Sequence, residues 1–274
     1  MRAKNESIFV LESAANDEKP SAIVGSNVQF VNLLLEQHLR IDEIPIDAVR
    51  SYYVDYYMAQ VENGGFSQFV YNSKWNPQII ERITEGLRII GAARHLEVFR
   101  EGGRIIEKLG ASGLEEYLSG EYFDENPERD ALNQLEERFA EAAEHEDLLS
   151  LNAGWLRDHH SLALLPNEEA LRQEAIRRGR ELPDLESRIA KARANAPRYE
   201  KLIRALCEHA GQELRRITAG DPTRMHRGNR VLAWHFITDK GHHHMLDYEE
   251  RATMFRGHST TDVICEIDAP SSIS

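Results

Sequence analysis

Apolar residues recur at intervals of three and four over the first two thirds of the chain, the spacing that gives an α-helix one apolar face. After a polar, irregular stretch over residues 1 to 25, Val28, Val31, Leu34 and Leu35 predict a first helix to about Leu39. Ile44-Pro45-Ile46-Asp47 opens a second, with proline at a helix start where its missing N–H is harmless. Val49, Tyr53, Tyr56 or Tyr57 and Gln60 or Val61 carry that helix from Ala48 to Val61. Asn76-Pro77 repeats the start signal, an N-cap residue followed by proline. Ile79, Ile80, Ile83, Leu87 and Ile90 then form a stripe that Gly91 ends. Ala92 to Leu109 follows, weakened inside by Gly102-Gly103 at about 1 kcal/mol per glycine relative to alanine. Residues 110–127 read as a loop with a short turn, before helices from about Glu128 to Glu144 and from about Asp147 to Asp158.

A boundary is expected at Ser161 to Asn167, where Pro166-Asn167-Glu168-Glu169 opens a new helix with Asn as N-cap and acids in its first turn. Leu182-Pro183-Asp184 and Ala196-Pro197 break the following pattern into two or three helices spanning 167–218. The period then changes. Val231 to Thr238 and Val263 to Ile267 are rich in β-branched and aromatic residues, and Asp239-Lys240-Gly241 is a turn signal between strands. The fold class read from this pattern is mainly α, closed by a small antiparallel α+β C-terminal unit. The corresponding division is an N-terminal extension with one helix (1–43), a helical domain (44–160) and a C-terminal helical plus small β-sheet domain (161–274).

Between the second and third helices lies Asn63-Gly64-Gly65-Phe66. Asn and Gly tolerate positive φ and so end helices, which makes this a corner. Phe66, Phe69 and Val70, spaced i, i+3 and i+4, start a second short helix beyond it. Glu62 to Ser73, with Ser51 to Val61 before it and Leu132 to Phe139 after it, resembles a bacterial family of uncharacterised helical domains. Its named member is an acidic DNA-mimic protein that binds a transcription factor in place of DNA. The resemblance covers roughly residues 44–160 and implies a helical domain and a DNA-mimic role. It leaves the last third of the chain unexplained.

Charge sharpens the picture. The 274 residues carry 46 acids against 33 Lys plus Arg, a net −13. Residues 101–150 alone hold 15 acids against 4 bases, so one segment supplies −11 of it. Such a field argues against direct nucleic-acid binding. No apolar run reaches the roughly 18 residues needed to span a bilayer. The first twenty residues lack the apolar core of a secretory signal, so a cytoplasmic location is expected. Cys207 and Cys265 are the only cysteines and have no CxxC spacing, which argues against a disulfide framework and a thiolate zinc site.

On a helical wheel, Asp130, Glu141 and Glu144 fall within about 40° of Glu137, whereas Leu135, Phe139 and Ala142 fall about 140° to 160° away. Like charges at these spacings cost about 0.2–0.5 kcal/mol per pair. Glu136, Glu137, Glu141 and Glu144 span about 12 Å, or one charge per roughly 4 Å of axis, against one per roughly 3.4 Å along a DNA strand. Carboxylates bind the same Arg and Lys groups that bind phosphate. The competing reading is a solvated glutamate face.

A second constellation is histidine. His242 and His244 share a strand face, and His235 on the partner strand could complete a three-nitrogen metal site, with Asp239, Asp247 and His258 as further candidates. Polar strand-end histidines are the plainer reading, and no fixed-spacing metal motif is present. Tyr52-Tyr53 and Tyr56-Tyr57 suit core packing or a homodimer contact better than a ligand box. No phosphate loop or nucleophile elbow occurs. The expected function is therefore a non-enzymatic acidic protein without a cofactor, whose partner is a basic, DNA-binding protein. The alternatives are an immunity or antitoxin-like protein covering a basic toxin site, and a metal-dependent enzyme built on the C-terminal histidines.

Overall fold

A computed structural model describes residues 7–120, 126–248 and 250–269. The chain divides into two compact units, Met1–Leu185 and Glu186–Ser274. Residues 161–167, where the sequence pattern placed a boundary, carry strand β2 (Leu162–Leu165) of the first unit.

The first unit begins with β1 (Ile8–Leu11), a short α1 (Glu12–Ala15) and α2 (Pro20–Glu36). The expectation of an irregular N-terminus is thus corrected. Four apolar residues are too few to show a period, and β1 is made a strand by a distant partner: it pairs in parallel with β2, Ile8 opposite Leu162 and Leu11 opposite Leu165. The first helix also starts eight residues earlier than Val28, with Pro20 in its first turn, a start signal of the same kind as Pro77. Ile23, Val24, Phe30, Val31 and Leu34 bury one face of α2 with Ile8 and Val10. Arg178 closes this core, pairing with Glu174 at 2.9 Å and lying 5.1 Å from the Phe9 ring.

The helices that follow are α3 (Ile46–Ser73), α4 (Pro77–Ile89), α5 (Ala93–Ser119), α6 (Pro127–Asn133), α7 (Leu135–Ala143), α8 (Leu148–Arg157) and, after β2, α9 (Glu168–Arg180). Asn76 caps α4 through the Gln78 N–H at 2.9 Å, and Asp147 caps α8 through Leu149 and Ser150. Two sequence expectations change here. Residues 111–119, read as loop, continue α5 past a kink at Gly110, while 121–125 of that expected loop lie outside the described residues. The expected helix 128–144 is two helices, α6 and α7, meeting at Gln134.

The core of this half is aromatic. Tyr57, Phe66, Phe69, Phe99 and Trp75 meet largely edge to face, with ring centroids 5.1 Å apart for Tyr57–Phe99 and 6.3 Å for Phe66–Trp75. Such pairs contribute about 0.5–1.5 kcal/mol each beyond area burial. Tyr57 is fully buried, and Tyr53 and Tyr56 pack against the same cluster, so the tyrosine-rich turn serves the interior.

The second unit holds most of α10 (Leu185–Ala194), then α11 (Arg198–His209) and strands β3 (Leu214–Asp221), β4 (Met225–His226), β5 (Asn229–Arg230), β6 (Ala233–Thr238), β7 (Gly241–Asp247), β8 (Arg251–Arg256) and β9 (Val263–Asp268). An antiparallel sheet of order β3-β6-β7-β8-β9 forms its body. It is larger than the small α+β unit expected, and the helical reading up to 218 is wrong over β3. Arg215, Arg216 and Gly220 on an edge strand, with two register irregularities against β6, hide the alternation that marks a strand. Leu202, Ile203 and Leu206 of α11 pack on Phe236, Met245 and Met254. No described helix is long and apolar enough to cross a membrane.

Candidate functional site

The Asn63-Gly64-Gly65 corner interrupts α3. Gly64 is extended (φ −163°) and Gly65 adopts φ 77°, ψ 177°, a region open essentially to glycine alone. Space imposes the same choice: a Cβ on Gly65 would stand 2.7 Å from Asn133 Oδ1 and collide with the Glu136 carboxylate. Four amides tie the arms of the corner together. Asn63 Nδ2 donates to Gln68 Oε1 (3.2 Å), Gln68 Nε2 to Gln60 Oε1 (3.1 Å) and Asn72 Nδ2 to the same Gln60 oxygen (2.6 Å). Phe66 then drops into the core, its ring filling the place a Gly102 side chain would take. The glycine that weakens α5 by propensity makes room for the motif's aromatic.

Two features read separately in the sequence thus meet in space. The corner and α7 enclose a hollow of about 340 Å³ lined by Val61, Glu62, Asn63, Gly64, Gly65, Glu136 and Phe139. Glu62 is the acid that the wheel could not find, because it lies 74 residues before Glu136, the first of the glutamates it joins. Its charge reaches further: burial first, and then Glu62, push the Asp55 carboxyl above the usual carboxylate range.

Along α7, Leu135, Phe139 and Ala142 are buried while Glu136, Glu137, Glu141 and Glu144 are exposed. The side chains of these four make no hydrogen bond or ion pair among the described residues. Asp130, on α6, is also exposed and stands 3.6 Å from Arg129. Other acids of the segment have structural work. Glu146 Oε2 accepts from the backbone N–H groups of Arg94 (2.9 Å) and His95 (3.4 Å), capping the start of α5. His95 Nε2–H in turn donates to the Glu146 carbonyl at 2.9 Å, and burial holds the imidazole below its ordinary pKa. Arg138 pairs with Glu101. The segment therefore sorts into acids that hold helices together and acids turned to solvent.

Residues 42–159 match a family model described as DMP19-like protein. That stretch is similar to DMP19-like proteins and is called the DMP19-like domain below. No curated protein and no solved structure matches the chain. Within the first unit, the DMP19-like domain is flanked by β1 and α2 on one side and β2 and α9 on the other, and β1 and β2 pair with each other.

Outside the DMP19-like domain, the histidines gather on one face of the C-terminal sheet. His235 stands opposite His244, and Ile237 opposite His242, so His235, His242 and His244 point the same way. Potential ligand atoms of His235, His242 and His258 lie within 4.8 Å of one another. His244 is outside that group: it is fully buried, its Nδ1–H donates to the Gly257 carbonyl at 2.7 Å, and its ring stacks on Phe255. Of the other candidates, Asp239 accepts from the Glu213 N–H and Asp247 pairs with Arg198. The sequence reading favoured His244 over His258 because strand alternation shows which residues share a face, and not which loop folds back over it.

Proposed function

We propose that the protein is a non-enzymatic acidic binding protein whose DMP19-like domain occupies the DNA-binding surface of a basic partner, in the manner of a DNA mimic. The observation that carries this reading is the row of exposed carboxylates Glu136, Glu137, Glu141 and Glu144, without side-chain partners among the described residues, the first of which lies against the Gly65 corner. Fixed carboxylates present their charge without first releasing a cationic neighbour, and Arg and Lys bind them as they bind phosphate oxygens. Complementary charge of this kind governs encounter and specificity more than raw affinity. The DMP19-like match supports the same role, because the DMP19 family is one of DNA mimics.

The test is capture of partners from a cytoplasmic extract by the full chain and by a Glu137→Gln, Glu141→Gln, Glu144→Gln variant, over a range of salt and with competing duplex DNA. Wild-type retention should fall steeply with salt, since exposed charge contacts are screened within about 10 Å at 0.1 M. The variant should retain less and depend on salt less, and DNA should displace the partner. Equal retention by both proteins would remove the acidic face from the function. Retention indifferent to DNA would point instead to a toxin-covering role.

A further inference from the structure

The face of the C-terminal sheet opposite α11 brings imidazoles together with a spacing that a plain polar surface does not require. His235 Nδ1 and His242 Nε2 are 3.2 Å apart, and the two rings are parallel within 2° at a centroid separation of 5.3 Å. The His258 ring lies 4.7 Å from that of His242 and 5.4 Å from that of His235. Two nitrogens bound at about 2.0–2.1 Å to a tetrahedral zinc ion stand about 3.3 Å apart, close to the distance seen for the first pair. We propose that His235, His242 and His258 form a binding site for one divalent transition-metal ion of the zinc class, with three imidazole ligands and a fourth position open to water.

The strands hold the first two ligands in place, since Ile237 opposite His242 and His244 opposite His235 fix the β6–β7 register. The third arrives by a short loop anchored at both sides. Gly257 N–H donates to the His242 carbonyl at 2.8 Å, and Arg224 Nη2 donates to the His258 carbonyl at 2.9 Å. The His258 side chain is exposed, so rotation about its own bonds can close the remaining gap. An all-imidazole set suits zinc, copper, nickel and cobalt, and excludes magnesium and calcium, which take oxygen ligands.

Arg224 and Asp221 both act electrostatically on His235, so the added positive charge of a metal is opposed by one neighbour and favoured by the other. In the absence of a metal, one of the two close nitrogens must donate its proton to the other. With a metal, both present lone pairs to it. This site lies outside the DMP19-like domain and stands or falls independently of the acidic face.

The experiment uses the full chain prepared without a His tag, loaded with Zn²⁺, dialysed and assayed for metal, with affinity measured against a chelator of known strength. The expected result is one Zn²⁺ per chain, with His258→Ala and His242→Ala each weakening binding by about 100-fold or more, beyond the 10–100-fold typical of outer-shell partners. His160→Ala and His209→Ala should bind as wild type. Co²⁺ should give the intense visible absorption of a four-coordinate site, lost in His258→Ala. Circular dichroism separates ligand loss from misfolding, and His258, being exposed, is the variant least able to disturb the fold. Failure to retain stoichiometric zinc, or equal affinity in wild type and His258→Ala, would overturn the proposal.

Discussion

Two long helices each carry a glycine that breaks them, and the surroundings of the two breaks differ. Gly65 in α3 adopts φ 77°, ψ 177°, and Gly110 in α5 adopts φ 68°, ψ −179°, nearly the same conformation in a region reserved for glycine. Around Gly65 the packing is tight, with Asn133 and Glu136 where a side chain would go. Around Gly110 nothing lies within 4 Å of that position. One break is enforced by backbone and neighbours together, the other by backbone alone. A shared conformation therefore says little about whether a kink belongs to a site; what is packed against it says more.

Substitutions can sharpen this contrast, beginning with the largest effect. Gly65→Val should destabilise the protein by about 3 kcal/mol or more in urea unfolding, combining about 1–3 kcal/mol of backbone strain with the displacement of Asn133 and Glu136. Gly110→Ala should cost the strain alone, about 1–3 kcal/mol; equal losses at the two sites would mean that packing at Gly65 carries no weight. Gly102→Ala should cost about 1–3 kcal/mol by overpacking Phe66, and Phe66→Leu in the same chain should recover part of it. In a double-mutant cycle, Glu136→Ala should offset part of the Gly65→Ala loss, with a coupling of about 0.5–3 kcal/mol, and none of the Gly110→Ala loss.

The smallest effects separate the two kinds of acid. Glu146→Ala removes the cap on α5 and should cost about 0.5–2 kcal/mol. The triple change of Glu137, Glu141 and Glu144 to Gln should instead leave stability unchanged or raise it by a few tenths of a kcal/mol, through relief of like-charge neighbours. A loss of stability in the triple variant would show that these carboxylates hold the fold and are not merely presented by it.

Local signals were legible where local chemistry decides. Asn76-Pro77, Asp147 and Gly91 mark their helix ends, and the Asn63-Gly64-Gly65 corner follows from residues that tolerate positive φ. The exposed face of α7 follows from its period. Features decided by distant partners were not legible. Ile8–Leu11 is a strand only because Leu162–Leu165 lies beside it, and Arg215-Arg216 sits in a strand because β6 pairs with it. Glu62 and Glu136 face one hollow across 74 residues of sequence, and His258 reaches the His235–His242 pair through a loop fold that no periodicity encodes. The break at Gln134 is subtler still, since its backbone is itself helical (φ −61°, ψ −17°) and no residue there forbids continuation.

The β1–β2 ladder also bears on the order in which the first unit is completed during synthesis. Ile8 emerges before its partner Leu162, which follows about 150 residues later, some 8 to 30 seconds at 5–20 residues per second. Throughout that interval the Ile8–Leu11 edge has no strand to pair with, and the buried faces of Ile8 and Val10 lack part of their cover. The DMP19-like domain can acquire its helices as it is made, but the clasp joining its two flanks closes only after the whole domain has passed.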